Sequence, residues 1–78
     1  MEIYPNPFSD RLIIKSKAEP IYKLKIQLFE LGGKEILIRD QRQFGQQLEL
    51  KLNHLQKGSY ILKCSNGSKV FEYKINRI

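Results

Sequence analysis

The stretch that decides the fold is Leu55-Gln56-Lys57-Gly58-Ser59-Tyr60-Ile61-Leu62-Lys63-Cys64-Ser65-Asn66-Gly67. Gly58 begins it with a turn, and we expect Asn66-Gly67 to end it by supplying the positive φ angles of a tight hairpin. Side chains of a strand alternate between two faces, so Tyr60, Leu62 and Cys64 fall on the same face. The stretch therefore predicts a half-buried strand held between two turns.

The chain returns directly after this strand. Ser68 to Ile75 alternates again, with Phe71, Tyr73 and Ile75 on one face. The last third of the chain is therefore predicted to be a hairpin that runs almost to the final residue.

A second hairpin is predicted in the middle of the chain. Tyr22 to Phe29 has the most regular alternation in the sequence, because one face collects Leu24, Ile26 and Leu28. A helix would distribute these residues around its circumference. Gly32 and Gly33 interrupt the pattern and Glu35 to Arg39 resumes it, which predicts a hairpin with a left-handed glycine in its turn.

The remaining segments are shorter. Pro5 and Pro7 fix their own φ angles and restrict the residues before them, so Tyr4 to Pro7 is predicted to open the ordered part as a stiff, extended segment. Leu12 to Ile14 should form a short strand, and polar Asp40 to Gly45 a loop. The strand after that loop has alternating leucines at Leu48, Leu50 and Leu52.

These segments amount to six or seven short strands with no helical window. Such a pattern is typical of an antiparallel β-sandwich or barrel, in which two aliphatic faces cover each other. With 78 residues, the chain has room for one domain spanning residues 1–78. A chain of this size buries only about 60 to 65% of its unfolded surface, which disfavours a large internal active site.

The charge balance favours anionic partners. Fourteen basic and eight acidic side chains give a net charge of +6, which would attract nucleic acid, lipid headgroups or acidic glycans. The lysines are scattered over the polar positions of the strands, however, so they are more simply a solvated sheet face that discourages edge pairing.

The sequence indicates no membrane segment and no leader peptide. No apolar run approaches the ~18 residues of a membrane helix, which favours a soluble domain. Met1 to Pro5 has neither a basic start nor an apolar block. Taken alone this favours the cytoplasm, but it carries no weight if the chain was cut from a longer precursor.

No catalytic residue, metal site or cofactor is predicted. One histidine, His54, and one cysteine, Cys64, lack the spacing of a zinc site, and Cys64 is expected to be a small buried apolar residue. Ser9, Asp10 and His54 could be imagined as a triad, but no Gly-x-Ser-x-Gly turn presents a nucleophile. The glycine turn at Leu31 to Lys34 feeds a strand and not a helix, so it is not a phosphate loop.

A nucleic-acid-binding barrel is a weaker alternative. Small barrels of this type stack bases on exposed aromatic residues that are flanked by Lys and Arg. Here Tyr60, Phe71 and Tyr73 lie on predicted apolar faces and are better explained as core residues.

Four segments carry a set of motifs. Tyr4 to Ile14 reads Y-P-N-P-F-S-D-R-L-I-I, Ile26 to Lys34 reads I-Q-L-F-E-L-G-G-K, Leu50 to Tyr60 reads L-K-L-N-H-L-Q-K-G-S-Y, and Lys74-Ile75 begins the tail. In order and spacing they resemble the C-terminal sorting domains, type A, of the type IX (Por) secretion system of Bacteroidetes. That family's motifs are Y-P-N-P-x-x-D-x-L-x-I, D-x-x-G-K, I-x-L-S-x-L-P-x-G-x-Y and a basic and aliphatic tail.

The resemblance covers Tyr4 to Ile78 and has three departures. Glu30 stands in place of the usual Asp, Asn53 in place of Ser, and Gln56 in place of Pro. Each departure keeps a carboxylate, a short polar group or a loop residue.

The resemblance implies an immunoglobulin-like sandwich of about seven strands and a non-enzymatic role. Such a domain rides at the C-terminal end of a larger exported protein, is recognised by the secretion machinery, and crosses the outer membrane with its cargo to the surface or the medium. A sortase-like protease often removes it as the cargo is attached to surface lipopolysaccharide. Residues 1–3 would then be a linker remnant or an arbitrary start, and any enzyme activity would belong to the cargo.

Two rigid ends are the candidate recognition elements. They are the proline-rich segment Tyr4, Pro5, Asn6 and Pro7, and the tail Lys74, Ile75, Asn76, Arg77 and Ile78. Turn and core residues are expected to be structural: Gly32, Gly33, Gly58, Tyr60, Asn66 and Gly67. An immunoglobulin-like module that binds a glycan or another protein remains the alternative.

Overall fold

The described part of the chain folds into eight strands arranged as two antiparallel sheets. The structure is a computed structural model that describes residues 1–17 and 23–78. The strands are β1 (Glu2–Tyr4), β2 (Arg11–Lys15), β3 (Lys25–Glu30), β4 (Glu35–Ile36), β5 (Asp40–Phe44), β6 (Gln47–Lys51), β7 (Gly58–Ser65) and β8 (Val70–Arg77). The first sheet has the order β1-β2-β6-β5 and the second the order β4-β3-β7-β8.

This strand order is that of an immunoglobulin-like sandwich. When β1 to β8 are lettered A, B, C, C′, D, E, F and G, the two sheets become A-B-E-D and C′-C-F-G. Constant-type immunoglobulin domains have ABED and CFG sheets, and variable-type domains add C′ beside C. The predicted all-β, immunoglobulin-like sandwich is therefore confirmed.

The core lies between the two sheets and is mainly aliphatic. Leu28 of β3 is paired with Leu62 of β7, and both side chains are fully buried. The other fully buried side chains are Phe8, Leu12, Ile14, Leu50, Leu52, Cys64 and Ile75. The predicted alternation of β7 is confirmed, because Tyr60, Leu62 and Cys64 all face this core.

Tyr60 fixes the connection between the sheets. The chain leaves the first sheet at the end of β6 and enters the second at β7, and the Tyr60 hydroxyl donates a 2.6 Å hydrogen bond to the Gln56 carbonyl within that connection. This is the tyrosine corner of immunoglobulin-like folds, in which the second cysteine follows two residues later. Leu62 occupies that place here, so an aliphatic residue replaces a cysteine.

The β3–β4 hairpin has the predicted left-handed glycine. The Glu30 N–H donates to the Lys34 carbonyl at 2.8 Å, and the Gly33 N–H donates to the Glu30 carbonyl at 2.9 Å. Gly33 has φ of 101°, which residues with a Cβ rarely adopt. Gly32 lies in the same turn without a positive φ, so only one of the two glycines needs its conformational freedom.

The β7–β8 turn differs from the prediction in one residue. Only Gly67 takes a positive φ, 96°, whereas Asn66 does not. The Asn66 side chain acts instead: its Oδ1 accepts a 2.9 Å hydrogen bond from the Lys69 N–H. Asn therefore stabilises this turn by bonding backbone, a common use of the residue in turns.

The segment predicted to be a loop is strand β5. Asp40 to Phe44 pairs with β6 in continuous register, from Asp40 opposite Lys51 to Phe44 opposite Gln47. β5 is an edge strand, and Asp40 through Gln43 are exposed, so the strand rests on backbone hydrogen bonds and has no alternating apolar residues to reveal it. Together with β1, which was not predicted either, β5 raises the number of strands in the described residues to eight.

Three strand boundaries also differ from the prediction. The structure places β1 at Glu2–Tyr4, ahead of the proline segment, and Ile3 of this strand packs against the core. β3 begins at Lys25, and the predicted start at Tyr22 lies outside the described residues. β4 covers only Glu35–Ile36 and stops before Arg39.

Replacing Tyr60 with Phe should destabilise the domain by about 1 kcal/mol, because the ring stays in the core while the hydroxyl bond to Gln56 is lost. The free energy of unfolding, measured in urea, checks this. Tyr4→Phe is the matched control, since Tyr4 is 40% exposed. Equal unfolding free energies for the two variants would contradict a role for the corner in stability.

The stability of the domain should fall in alkaline solution because of Cys64. Burial raises the pKa of the Cys64 thiol from 9.0 to about 11. The folded state therefore favours the neutral thiol, and the stability that this gives is complete below about pH 9. As the pH rises from about 9 to 11 this stability is lost, and the free energy of unfolding falls by up to about 1.4 kcal/mol per pH unit. Between pH 8 and 10, the free energy of unfolding in urea should decline less steeply for Cys64→Ala than for the parent domain. Equal declines for the two proteins would contradict the assignment of this effect to Cys64.

Candidate recognition surface

The two ends of the described chain meet along β8. Phe8 forms a parallel bridge with Arg77. The Phe8 N–H donates to the Asn76 carbonyl at 2.8 Å, and the Ile78 N–H donates to the Phe8 carbonyl at 2.9 Å. One residue of the N-terminal segment is thus paired with the tail as a residue of a parallel strand would be.

Asn6 continues this pairing with its side chain. Its Nδ2 donates to the Lys74 carbonyl at 3.1 Å, and its Oδ1 accepts from the Asn76 N–H at 3.0 Å. In a parallel ladder, the N–H and C=O of one residue bond the two residues that flank its neighbour. The Asn6 amide has one donor group and one acceptor, so it replaces a peptide group beside Ile75.

The proline segment is bent and not extended. The chain bends at Asn6 and Pro7, and the Tyr4–Pro5 and Asn6–Pro7 peptide bonds are both cis. The segment has to leave β1 in the first sheet and reach β8 at the edge of the second, which a straight chain cannot do. Pro5 and Pro7 have no N–H, so Asn6 and Phe8 make the contacts with β8.

Phe8 anchors the segment, although sequence reasoning did not include it among the recognition residues. Its side chain is fully buried in the core, while its backbone pairs with β8. The available signal was a large apolar residue directly after two prolines in an otherwise polar stretch. We call Tyr4–Phe8 the strap and Lys74–Ile78 the tail.

The structure brings the predicted recognition residues together but does not expose all of them. Tyr4 is 40% exposed, Ile78 is 63% exposed, and Lys74 is also exposed. Ile75 is completely buried, so a partner cannot contact its side chain. The Asn76 Oδ1 accepts a hydrogen bond from the Ser59 hydroxyl of β7, which fixes the tail from its other side.

The residues expected to be structural lie in turns or in the core. Gly58 starts β7 opposite Arg77, and Tyr60 follows opposite buried Ile75. Both positions therefore lie in β7, directly opposite residues of the tail in the same sheet.

The charges form local pairs on the first sheet. Arg11 contacts Glu49 at 3.2 Å, and weaker pairs join Lys17 to Glu2 at 3.5 Å and Lys51 to Asp40 at 3.9 Å. Glu49 is only 8% exposed, although it lies between the buried leucines of β6, so its ion pair with Arg11 is partly screened from solvent.

Other candidate sites are weak within residues 1–17 and 23–78. This part of the chain contains no group of three or more His, Cys, Asp or Glu residues that could hold a metal ion. It also contains no helix of the length and apolarity needed to cross a bilayer. Grooves of about 210 Å³ beside β4 and about 180 Å³ beside Asp10 are smaller than the roughly 300 to 1,000 Å³ of typical ligand pockets. Neither groove supports the glycan-binding alternative.

Replacing Asn6 should increase hydrogen exchange only at the backbone amide of the tail that Asn6 bonds. Asn6→Ala removes both bonds, so hydrogen exchange at the Asn76 amide should accelerate about tenfold or more, while the Ile75 amide, which faces β7, should be unchanged. Asn6→Asp keeps the acceptor and should preserve part of the protection. Amide exchange measured by NMR checks this, with Asn53→Ala as the control; an unchanged Asn76 rate in Asn6→Ala would show that the strap does not hold the tail.

Comparison with known proteins identifies the family of the chain. No curated protein matches the chain. Residues 2–76 match the family described as "Secretion system C-terminal sorting domain". This match spans nearly all of the chain and includes the strap, the tyrosine corner and most of the tail. The chain therefore belongs to the C-terminal sorting domains of the type IX secretion system.

Proposed function

We propose that this domain is a non-enzymatic signal that directs an attached cargo protein across the outer membrane through the type IX secretion system. The observation that carries the proposal is the family match over residues 2–76. The cargo reaches the cell surface or the medium, and the proteins that recognise the domain belong to the secretion machinery.

The surface formed by the strap and the tail is the best candidate for recognition. Four hydrogen bonds of 2.8 to 3.1 Å hold the two segments together, two through Asn6 and two through Phe8. A surface that is already fixed loses little conformational entropy when it binds. Tyr4, Lys74 and Ile78 are the exposed side chains that a machinery protein would contact there.

The N-terminal strand places a cargo away from this surface. β1 runs from Glu2 to Tyr4, and its Tyr4 end leads into the strap. A cargo joined before residue 1 is therefore separated from the strap by the length of β1, about 10 Å. A sortase-like protease would act on the linker before β1, because paired strands are poor protease substrates and linkers are good ones.

Export of a reporter tests the proposal. A fluorescent protein with a leader peptide, joined to residues 1–78 and expressed in a host with type IX secretion, should reach the medium or the cell surface. A double Tyr4→Ala and Lys74→Ala variant should be exported at least tenfold less and accumulate in the periplasm, because it loses two exposed contacts without losing strap bonds.

The control is a double Leu37→Ala and Lys57→Ala variant, which removes an exposed apolar residue and an exposed lysine elsewhere on the domain. It should be exported like the parent. Failure of the parent itself to leave the periplasm would refute the sorting function. Equal export of both double variants would show that the machinery recognises a surface other than the strap and the tail.

A further inference from the structure

β8 is an edge strand of the second sheet, and the strap covers only its C-terminal half. The strap bonds the Lys74 carbonyl, both backbone groups of Asn76 and the Ile78 N–H. All of these groups point away from β7. The side of β8 that faces away from the sheet is therefore closed from the Lys74 carbonyl onwards.

The N-terminal half of the same edge is open. Backbone groups of a strand alternate in direction, and the register of β8 with β7 is uninterrupted from Val70 opposite Ser65 to Arg77 opposite Gly58. Val70 and Glu72 therefore direct their N–H and C=O away from β7, as does the Lys74 N–H. In the part of the chain that the structure describes, none of these five groups has a hydrogen-bond partner.

The open half has few of the features that protect sheet edges. Natural edge strands are blunted by prolines, bulges, short length or covering segments. β8 is eight residues long, and Val70 to Tyr73 contains no proline, glycine or bulge. Val70 is 56% exposed, while Phe71 and Tyr73 are only partly covered on the core side. Charged side chains, which also protect sheet edges, are limited here to Glu72 and Lys74.

A second copy of the chain fits this edge poorly. Antiparallel self-pairing that used residues 70–74 would be centred on Glu72 and would set the two Glu72 side chains directly opposite each other. Like charges in this position are destabilising. Shifting the centre to Tyr73 would require the space that Asn6 occupies beside Lys74 and Asn76. Shifting it to Phe71 would set Lys74 opposite Ser68, which lies outside β8, and would leave a ladder of only two hydrogen-bonded residue pairs. The edge suits a different partner, one with a basic residue opposite Glu72.

We propose that an extended segment of a secretion-machinery protein adds to β8 as a further strand along Val70–Lys74. The added strand lies in line with the strap, which already pairs with the rest of the edge. It bonds the five open backbone groups, places apolar side chains beside Phe71 and Tyr73, and carries a cation opposite Glu72. This inference rests on the proposed sorting function and names how the partner is held.

Glu72→Pro tests the proposal in the same export assay. The Glu72 N–H points away from β7, so proline removes a bond that only the partner would use and places its ring where the partner's strand would lie. Export should fall at least tenfold, while circular dichroism and urea unfolding confirm that the variant is folded. Glu72→Ala is the matched control and should stay within about fivefold of the parent, since an exposed charge pair contributes at most about 1 kcal/mol.

Glu72→Lys keeps the test decisive if the proline variant fails to fold. It preserves the backbone donor but reverses the charge that the partner's cation faces, so export should fall several-fold.

Three results would overturn the inference. If the parent and the folded Glu72→Pro variant are exported equally, the edge is not used although the sorting function stands. If Glu72→Lys is exported like the parent, the cation opposite Glu72 is wrong. If the purified parent sediments as a dimer and Glu72→Pro as a monomer, the edge binds a second copy. Failure of the parent to be exported would instead remove the sorting function itself.

Discussion

The contact between the strap and the tail depends on how the outer edge of β8 satisfies its backbone hydrogen bonds. A strand at the edge of a sheet presents N–H and C=O groups that need water, another strand or a covering segment. Here the Asn6 amide and the Phe8 backbone bond four of these groups. The prolines on either side of Asn6 lack N–H groups, so they add no donors that need partners. The result is a tail fixed on both sides, by the strap and by β7.

The sandwich makes this contact possible. β1 belongs to the first sheet and β8 to the second, so the strap must cross from one sheet to the other. Burial of Phe8 in the core fixes where it lands, and burial of Ile75 fixes the strand that it meets. Tyr60 then fixes the entry of the chain into β7, the strand that pairs with the tail. Core packing and the recognition surface thus depend on the same few residues, and a mutation that loosens one should loosen the other.

The sequence predicted the parts of the fold in which burial is periodic. β7 and β8 have apolar residues at every second position, and the structure confirms their alternation. In β3 and β6 the predicted apolar residues face the core, but Gln27 and Glu49, which lie between them, are not exposed. β5 was missed because an exposed edge strand needs only backbone bonds, which leave no pattern. The contact between Asn6 and β8 was also not predictable, since it joins residues 68 to 70 positions apart through a side chain. The family motifs marked both segments without showing that they touch.

The most direct test of this account is NMR detection of scalar couplings across hydrogen bonds in the isolated domain. The account predicts couplings from the Phe8 nitrogen to the Asn76 carbonyl carbon and from the Ile78 nitrogen to the Phe8 carbonyl carbon, because both bonds are shorter than 3 Å. Couplings within β7 and β8 without either of these two would contradict it, since the strap would then not be paired with the tail.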